Sequence, residues 1–86
     1  MGNNEFEKKC IELVKKYYED ELKTNIKEDN IYIVWLTKVL QNNKALLSTT
    51  IKDTRYFEIT YNGDKEETYI DCYIKEKNIC KKDKED

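Results

Sequence analysis

Along the first quarter of the chain, apolar residues recur at steps of three and four. Phe6, Cys10, Leu13 and Tyr17 form one line, with Ile11, Val14, Tyr18 and Leu22 just beside it. This spacing predicts a helix from Glu5 to about Lys23, because side chains three and four apart stack on one side of a 3.6-residue turn. Lys8, Lys9, Glu12, Lys15, Lys16 and Glu19 fill the opposite side. Asn3 or Asn4 is available as the N-cap, and Glu5 and Glu7 suit the positive end of the helix dipole. Thr24 to Asn30 carries turn chemistry and reads as the connection that follows.

After the connection the apolar spacing no longer follows the helical steps. Ile31 to Leu40 is β-branched and aromatic, apolar at both parities, as a central strand with both faces partly covered would be. A helix is the competing reading of that stretch, since length does not exclude it. Asn42-Asn43 offers a tight turn because Asn tolerates positive φ. Ala45 to Ile51 follows as a second strand, and Lys52-Asp53-Thr54 leads to a third.

The strongest local signal lies between Arg55 and Lys75, where two alternating segments flank Asn62-Gly63. Phe57, Ile59 and Tyr61 share one face of the first segment, and Ile70, Cys72 and Ile74 share one face of the second. A two-residue Asn62-Gly63 loop sets Phe57 opposite Thr68 and Glu58 opposite Glu67, a like-charge pair. A loop from Asn62 to Lys65 avoids that clash and sets Phe57 opposite Ile70 and Ile59 opposite Thr68, so the longer loop is preferred. The assembled expectation is an α+β domain over residues 1–80, one helix packed across one face of a four-stranded antiparallel meander (α-β-β-β-β). Residues 81–86 read as a charged, frayed tail.

Composition refines this picture without adding a reaction. Eighty-six residues make one small domain, and charged residues at 40% nearly cancel to a net charge of −2. No His is present, which removes the commonest general base and transition-metal ligand. Cys10, Cys72 and Cys80 are an odd number without CxxC spacing, so neither a zinc knuckle nor a redox pair is indicated. Cys10 and Cys72 read as small core residues, Cys80 as an exposed thiol, and none has a His partner for nucleophilic work. Free thiols without a leader sequence point to a reducing cytoplasm, and no apolar run reaches the length of a membrane span.

Candidate sites are therefore surface patches. The outward positions of the last two strands, Tyr56, Glu58, Tyr69, Asp71 and Tyr73, form a Tyr/acid patch on the sheet face that lacks a helix. They are either ordinary cross-strand pairs on a solvated face or a protein-binding surface, since Tyr is favoured at interfaces. Asp64, Glu66, Glu67 and Asp71 lack the spacing of a calcium loop and read as solvated turn residues, so no metal and no cofactor is expected. Lysines interleaved with acids, and a pI near 5.3, argue against direct nucleic-acid binding. Trp35, Tyr32 and the tyrosines would suit a stacking platform only with Lys/Arg around them, and read as core. The acidic clusters Glu19-Asp20-Glu21, Glu28-Asp29 and Asp64-Glu66-Glu67, with the tail, leave nucleic-acid mimicry as a sub-case, since a net charge of −2 is weak for a full mimic.

Two strings, Val-Trp-Leu-Thr-Lys-Val-Leu-Gln-Asn-Asn-Lys-Ala-Leu-Leu-Ser-Thr (34–49) and Tyr-Phe-Glu-Ile-Thr-Tyr-Asn-Gly-Asp-Lys-Glu-Glu-Thr-Tyr-Ile-Asp-Cys-Tyr-Ile-Lys (56–75), resemble a family of short uncharacterised proteins of phages and prophages of Gram-positive bacteria. The likeness runs from Phe6 to about Ile79. It implies a mobile-element accessory gene and carries no catalytic residue with it. The expectation that follows is a non-enzymatic module that binds a host or viral protein, most concretely an anti-CRISPR-like inhibitor of a defence complex that handles nucleic acid. The alternative expectation is a structural homodimer formed through the open sheet face or the edge strand, with no antagonist role.

Overall fold

The computed structural model describes residues 1–83. A helix, α1 (Asn3–Asp20), leads through a 3-10 turn (Glu28–Asn30) into four strands: β1 (Ile31–Val39), β2 (Asn42–Thr49), β3 (Arg55–Asn62) and β4 (Glu67–Ile74). The strands form one antiparallel sheet in the order β1-β2-β3-β4. This is the expected α+β meander. Of the expected tail, residues 81–83 are exposed coil and 84–86 lie outside the described residues.

The helix begins at Asn3 and uses Gly2, not Asn3 or Asn4, as its cap. The Phe6 N–H donates to the Gly2 carbonyl at 2.9 Å, and no side chain caps the end. Phe6, Cys10, Val14 and Tyr18 are the buried line. Leu13 and Tyr17, expected at its centre, are half-buried at its margin. Steps of four follow a helix ridge, so this line stays over the sheet while the 13/17 positions turn toward its β4 side. Ala45, Leu47, Phe57 and Ile59 complete the core from β2 and β3. Phe57 is its centre, with the Tyr17 and Tyr18 rings 5.2 and 5.7 Å from it in edge-on and tilted contacts.

The structure corrects the reading of β1. It is an edge strand, not a central one. Its register against β2 shifts between Ile33 and Trp35, so Ile31 and Ile33 face the helix before the irregularity and Leu36 faces it afterwards. One extra residue in a strand reverses the alternation of everything beyond it. Apolar residues at both parities therefore record a bulge at Val34, not cover on two faces.

Two turns also move. The β1–β2 turn is Leu40-Gln41, with Leu40 at φ 55, and Asn42 and Asn43 belong to β2, which ends at Thr49. The observed pairing puts Leu36 opposite Ala45 and Ile33 opposite Leu47. A turn at Asn42-Asn43 would have set Lys38 opposite Leu47, inside the core, so burial selects the earlier turn. In the β3–β4 hairpin the loop is Gly63–Glu66, and Phe57 stands opposite Cys72, Ile59 opposite Ile70 and Tyr61 opposite Thr68. This is neither of the two registers expected. Asn62 stays in the strand because its Oδ1 accepts the N–H groups of Asp64 and Lys65 at 3.1 and 3.2 Å, an Asx turn that starts the loop one residue later. Avoiding like charges did not choose the register, since Glu58 lies opposite Asp71.

Candidate functional site

With α1 on one side, the sheet has an outer face on which no element packs among the described residues. Its rows follow from the register. Tyr32, Ser48, Tyr56 and Tyr73 form one row across the four strands; Trp35, Leu46, Glu58 and Asp71 form the next; Thr37, Lys44, Thr60 and Tyr69 the third. All five residues read from sequence as the surface patch, Tyr56, Glu58, Tyr69, Asp71 and Tyr73, share this face. Tyr69 and Tyr73 are each 50% exposed, and Tyr56 and Glu58 are half-buried.

Sequence reasoning missed the β1 half of the face. Trp35, 40% exposed, has the parity of Ile31 and Ile33, so simple alternation puts it in the core, and the bulge turns it outward. Tyr32, which also reads as core from sequence, is 46% exposed on the same face. Leu46 and Lys44 lie between these aromatics and the β3–β4 patch. The signal that would have placed Trp35 outside is the apolar run at both parities, read as a bulge.

The centre of the face is acidic. The Glu58 carboxylate is 3.6 Å from Lys44 Nζ, and Asp71 stands across from it. The Glu58 charge, followed by desolvation and the Asp71 charge, holds the Tyr73 phenol above its ordinary pKa. Tyr69 donates its hydroxyl to Glu67, and that bond, then the Glu67 charge, raises its pKa too. Both phenols thus stay neutral donors through the physiological range. Lys75 Nζ lies 5.5 Å from the centre of the Tyr56 ring, a cation over an aromatic face at the patch margin. The arrangement offers aromatic surface, hydroxyl donors and a carboxylate pair, the groups that receive an Arg or Lys side chain set in apolar surroundings.

A second feature is a cleft of about 390 Å³ beside the C-terminal end of α1, lined by Tyr18, Leu22, Thr24, Ile51, Asp53 and Arg55 among others. Its polar groups are spent on one another. Tyr18 donates to Asp53 Oδ2 at 2.5 Å, and Arg55 donates to the same oxygen at 3.3 Å. The network ties the helix to the β2–β3 loop. Cys10 is buried, and burial pushes its thiol up to about 12, so it is inert, while Cys72 is half-buried and Cys80 exposed. Among the described residues, no group of His, Cys, Asp and Glu is gathered as a metal site, and no helix is long and apolar enough to cross a membrane.

No curated protein and no solved structure matches the chain. Residues 7–83, which span α1 from its second turn through all four strands, match the family of unknown function DUF6275, and the chain belongs to that family.

Proposed function

We propose that this protein is a non-enzymatic binding module that captures a protein partner on the outer face of its sheet. The observation that carries the reading is the exposure of Trp35, Tyr32, Tyr69 and Tyr73 around the Glu58–Asp71 pair, on a face that no element covers among the described residues. Tyr and Trp supply large contact area at low entropy cost and dominate interface energetics. The acidic centre favours a partner surface presenting Arg or Lys, the chemistry of proteins that themselves bind nucleic acid. Likeness to phage and prophage proteins of Gram-positive bacteria supports an accessory role in the host cytoplasm, with inhibition of a defence complex, as an anti-CRISPR does, its most concrete form.

The test is capture of prey by the tagged chain at low expression in a bacterial host, read by mass spectrometry beside the Tyr56→Ala, Tyr69→Ala, Tyr73→Ala triple variant. The expected result is one stoichiometric prey with the wild type and its loss with a triple variant of unchanged circular dichroism. A folded triple variant that still captures that prey, or a wild type that captures none, overturns the reading.

A further inference from the structure

The two edges of the sheet are not alike. β1 is interrupted at Val34 by the register shift, and a bulge blunts an edge against further pairing. β4 runs eight residues without interruption, is continuous with β3 throughout, and has no element on its far side among the described residues. The Lys75 N–H donates to the Thr54 carbonyl at 2.9 Å, which extends the β3–β4 ladder by one residue. In an antiparallel ladder successive residues alternate between bonding inward and outward. The odd-numbered residues of β4 are therefore bonded to β3, and Thr68, Ile70, Cys72 and Ile74 direct their N–H and C=O groups at the open edge.

The side chains above and below that edge are also unfilled. Ile74 and Ile70 lie on the helix side but are 63% and 36% exposed, because α1 lies nearest β1 and β2 and reaches β4 only by its margin, where Lys9 donates to Thr68 Oγ1 at 2.9 Å. Between them, Ile70 and the helix residues Leu13 and Tyr17 border a shallow groove of about 130 Å³.

We infer that β4 pairs antiparallel with β4 of a second copy, about a two-fold axis through Cys72, making one eight-stranded sheet. The choice of occupant rests on the self-complementarity of this strand. Centred on Cys72, Ile70 faces the second copy's Ile74, Asp71 faces its Tyr73, Tyr69 faces its Lys75, and Glu67 faces its Lys77. Each contact occurs twice by symmetry. Neighbouring registers each bring a conflict. Centring on Asp71 opposes Asp71 to itself, centring on Ile70 puts Ile74 against Glu66, and centring on Tyr73 puts Ile70 against Glu76. Only the Cys72 register sets apolar against apolar, acid against hydroxyl or lysine, and no like charges against each other. In it both helices lie on one side of the joint sheet, with Ile70, Cys72 and Ile74 of each copy flooring the gap between them. The two outer faces become one continuous surface, so the inference holds whatever that surface binds.

Sedimentation of the full chain at micromolar concentration should give twice the 10.4 kDa chain mass. Ile74→Pro removes an N–H that points away from β3 and so costs the monomer no ladder bond, yet removes two bonds from the pair; it should sediment as a monomer with unchanged circular dichroism. In Cys80→Ser protein, diamide should convert the two Cys72 thiols to an intermolecular disulfide, taking up the two protons and two electrons they release. Paired residues stand about 5.5 Å apart at Cα, within disulfide range. A monomeric wild type, or one that pairs only with a foreign peptide, overturns the inference. So does a dimer that persists in folded Ile74→Pro protein or forms no Cys72 cross-link. Should Ile74→Pro fail to fold, the cross-link decides.

Discussion

Glu58 and Asp71 stand directly opposite each other on the outer face of β3 and β4, an acidic pair that the core register imposes. With Phe57 and Ile59 required in the core, every residue between them is carried to its partner regardless of charge. Lys44 relieves one side of the pair at 3.6 Å. Replacing Asp71 by Asn should raise stability by about 0.5 kcal/mol, the scale of one cross-strand pair, while weakening capture of a basic partner. Urea midpoints of the two proteins check the first effect, and prey recovery checks the second. A lower midpoint for Asp71→Asn would mean that the pair is not repulsive.

Phe57 is fully buried and touches both Tyr17 and Tyr18. Phe57→Ala should cost about 3–5 kcal/mol, the range for emptying an aromatic site. A domain of this size has little more than that in reserve. The variant should be largely unfolded at 25 °C by circular dichroism. A cooperative melt near that of the wild type would show that the helix packs without it.

The bond from Tyr18 to Asp53 joins α1 to the β2–β3 loop. Tyr18→Phe should lose about 2 kcal/mol, as expected for a hydrogen bond to a charged acceptor. Burial, then the Asp53 bond, pushes the Tyr18 phenol from 10.0 up to about 12, and burial pushes the Cys10 thiol from 9.0 to about 12. Both folded values are raised, so the stability they contribute is whole below the unfolded values and is lost as pH rises through them toward the folded ones. Wild-type stability should therefore begin to fall above pH 9 and steepen above pH 10. Tyr18→Phe should show only the first decline. Melting temperatures across that range decide it, and parallel curves for the two proteins would remove Tyr18 from the account.

The tips of the two hairpins touch. A Cβ on Gly63 would lie 2.2 Å from the Gln41 carbonyl oxygen and 2.7 Å from its Cβ, so Gly63 is required for close approach. Gly63→Ala should lose roughly 1–3 kcal/mol by overpacking at that contact. Leu40, 83% exposed at φ 55, is the opposite case. Leu40→Gly should gain about 1 kcal/mol by relieving left-handed strain. Denaturation midpoints that move in opposite directions confirm both; a shift in the same direction would separate the strain from the contact.

The helix and the last hairpin could be read from residue order because local periodicity alone builds them. Steps of three and four place Phe6, Cys10, Leu13 and Tyr17, with Val14 and Tyr18 beside them, on one broad side of a helix, and alternation places Phe57 and Ile59 on one side of a strand, wherever those elements finally pack. The outward set Tyr56, Glu58, Tyr69, Asp71 and Tyr73 was legible for the same reason, since parity survives a register error of two residues. Pairing is different, because it depends on contacts between distant residues. The loop after Asn62 is set by that side chain's own hydrogen bonds, the turn at Leu40-Gln41 by keeping Lys38 out of the core, and the outward course of Trp35 by a bulge that shifts β1 against β2. Sequence by itself thus determined the elements and, outside β1, which residues share a face. The tertiary structure decided which residues stand opposite each other, because burial of a common core outweighs the local preferences of any one turn.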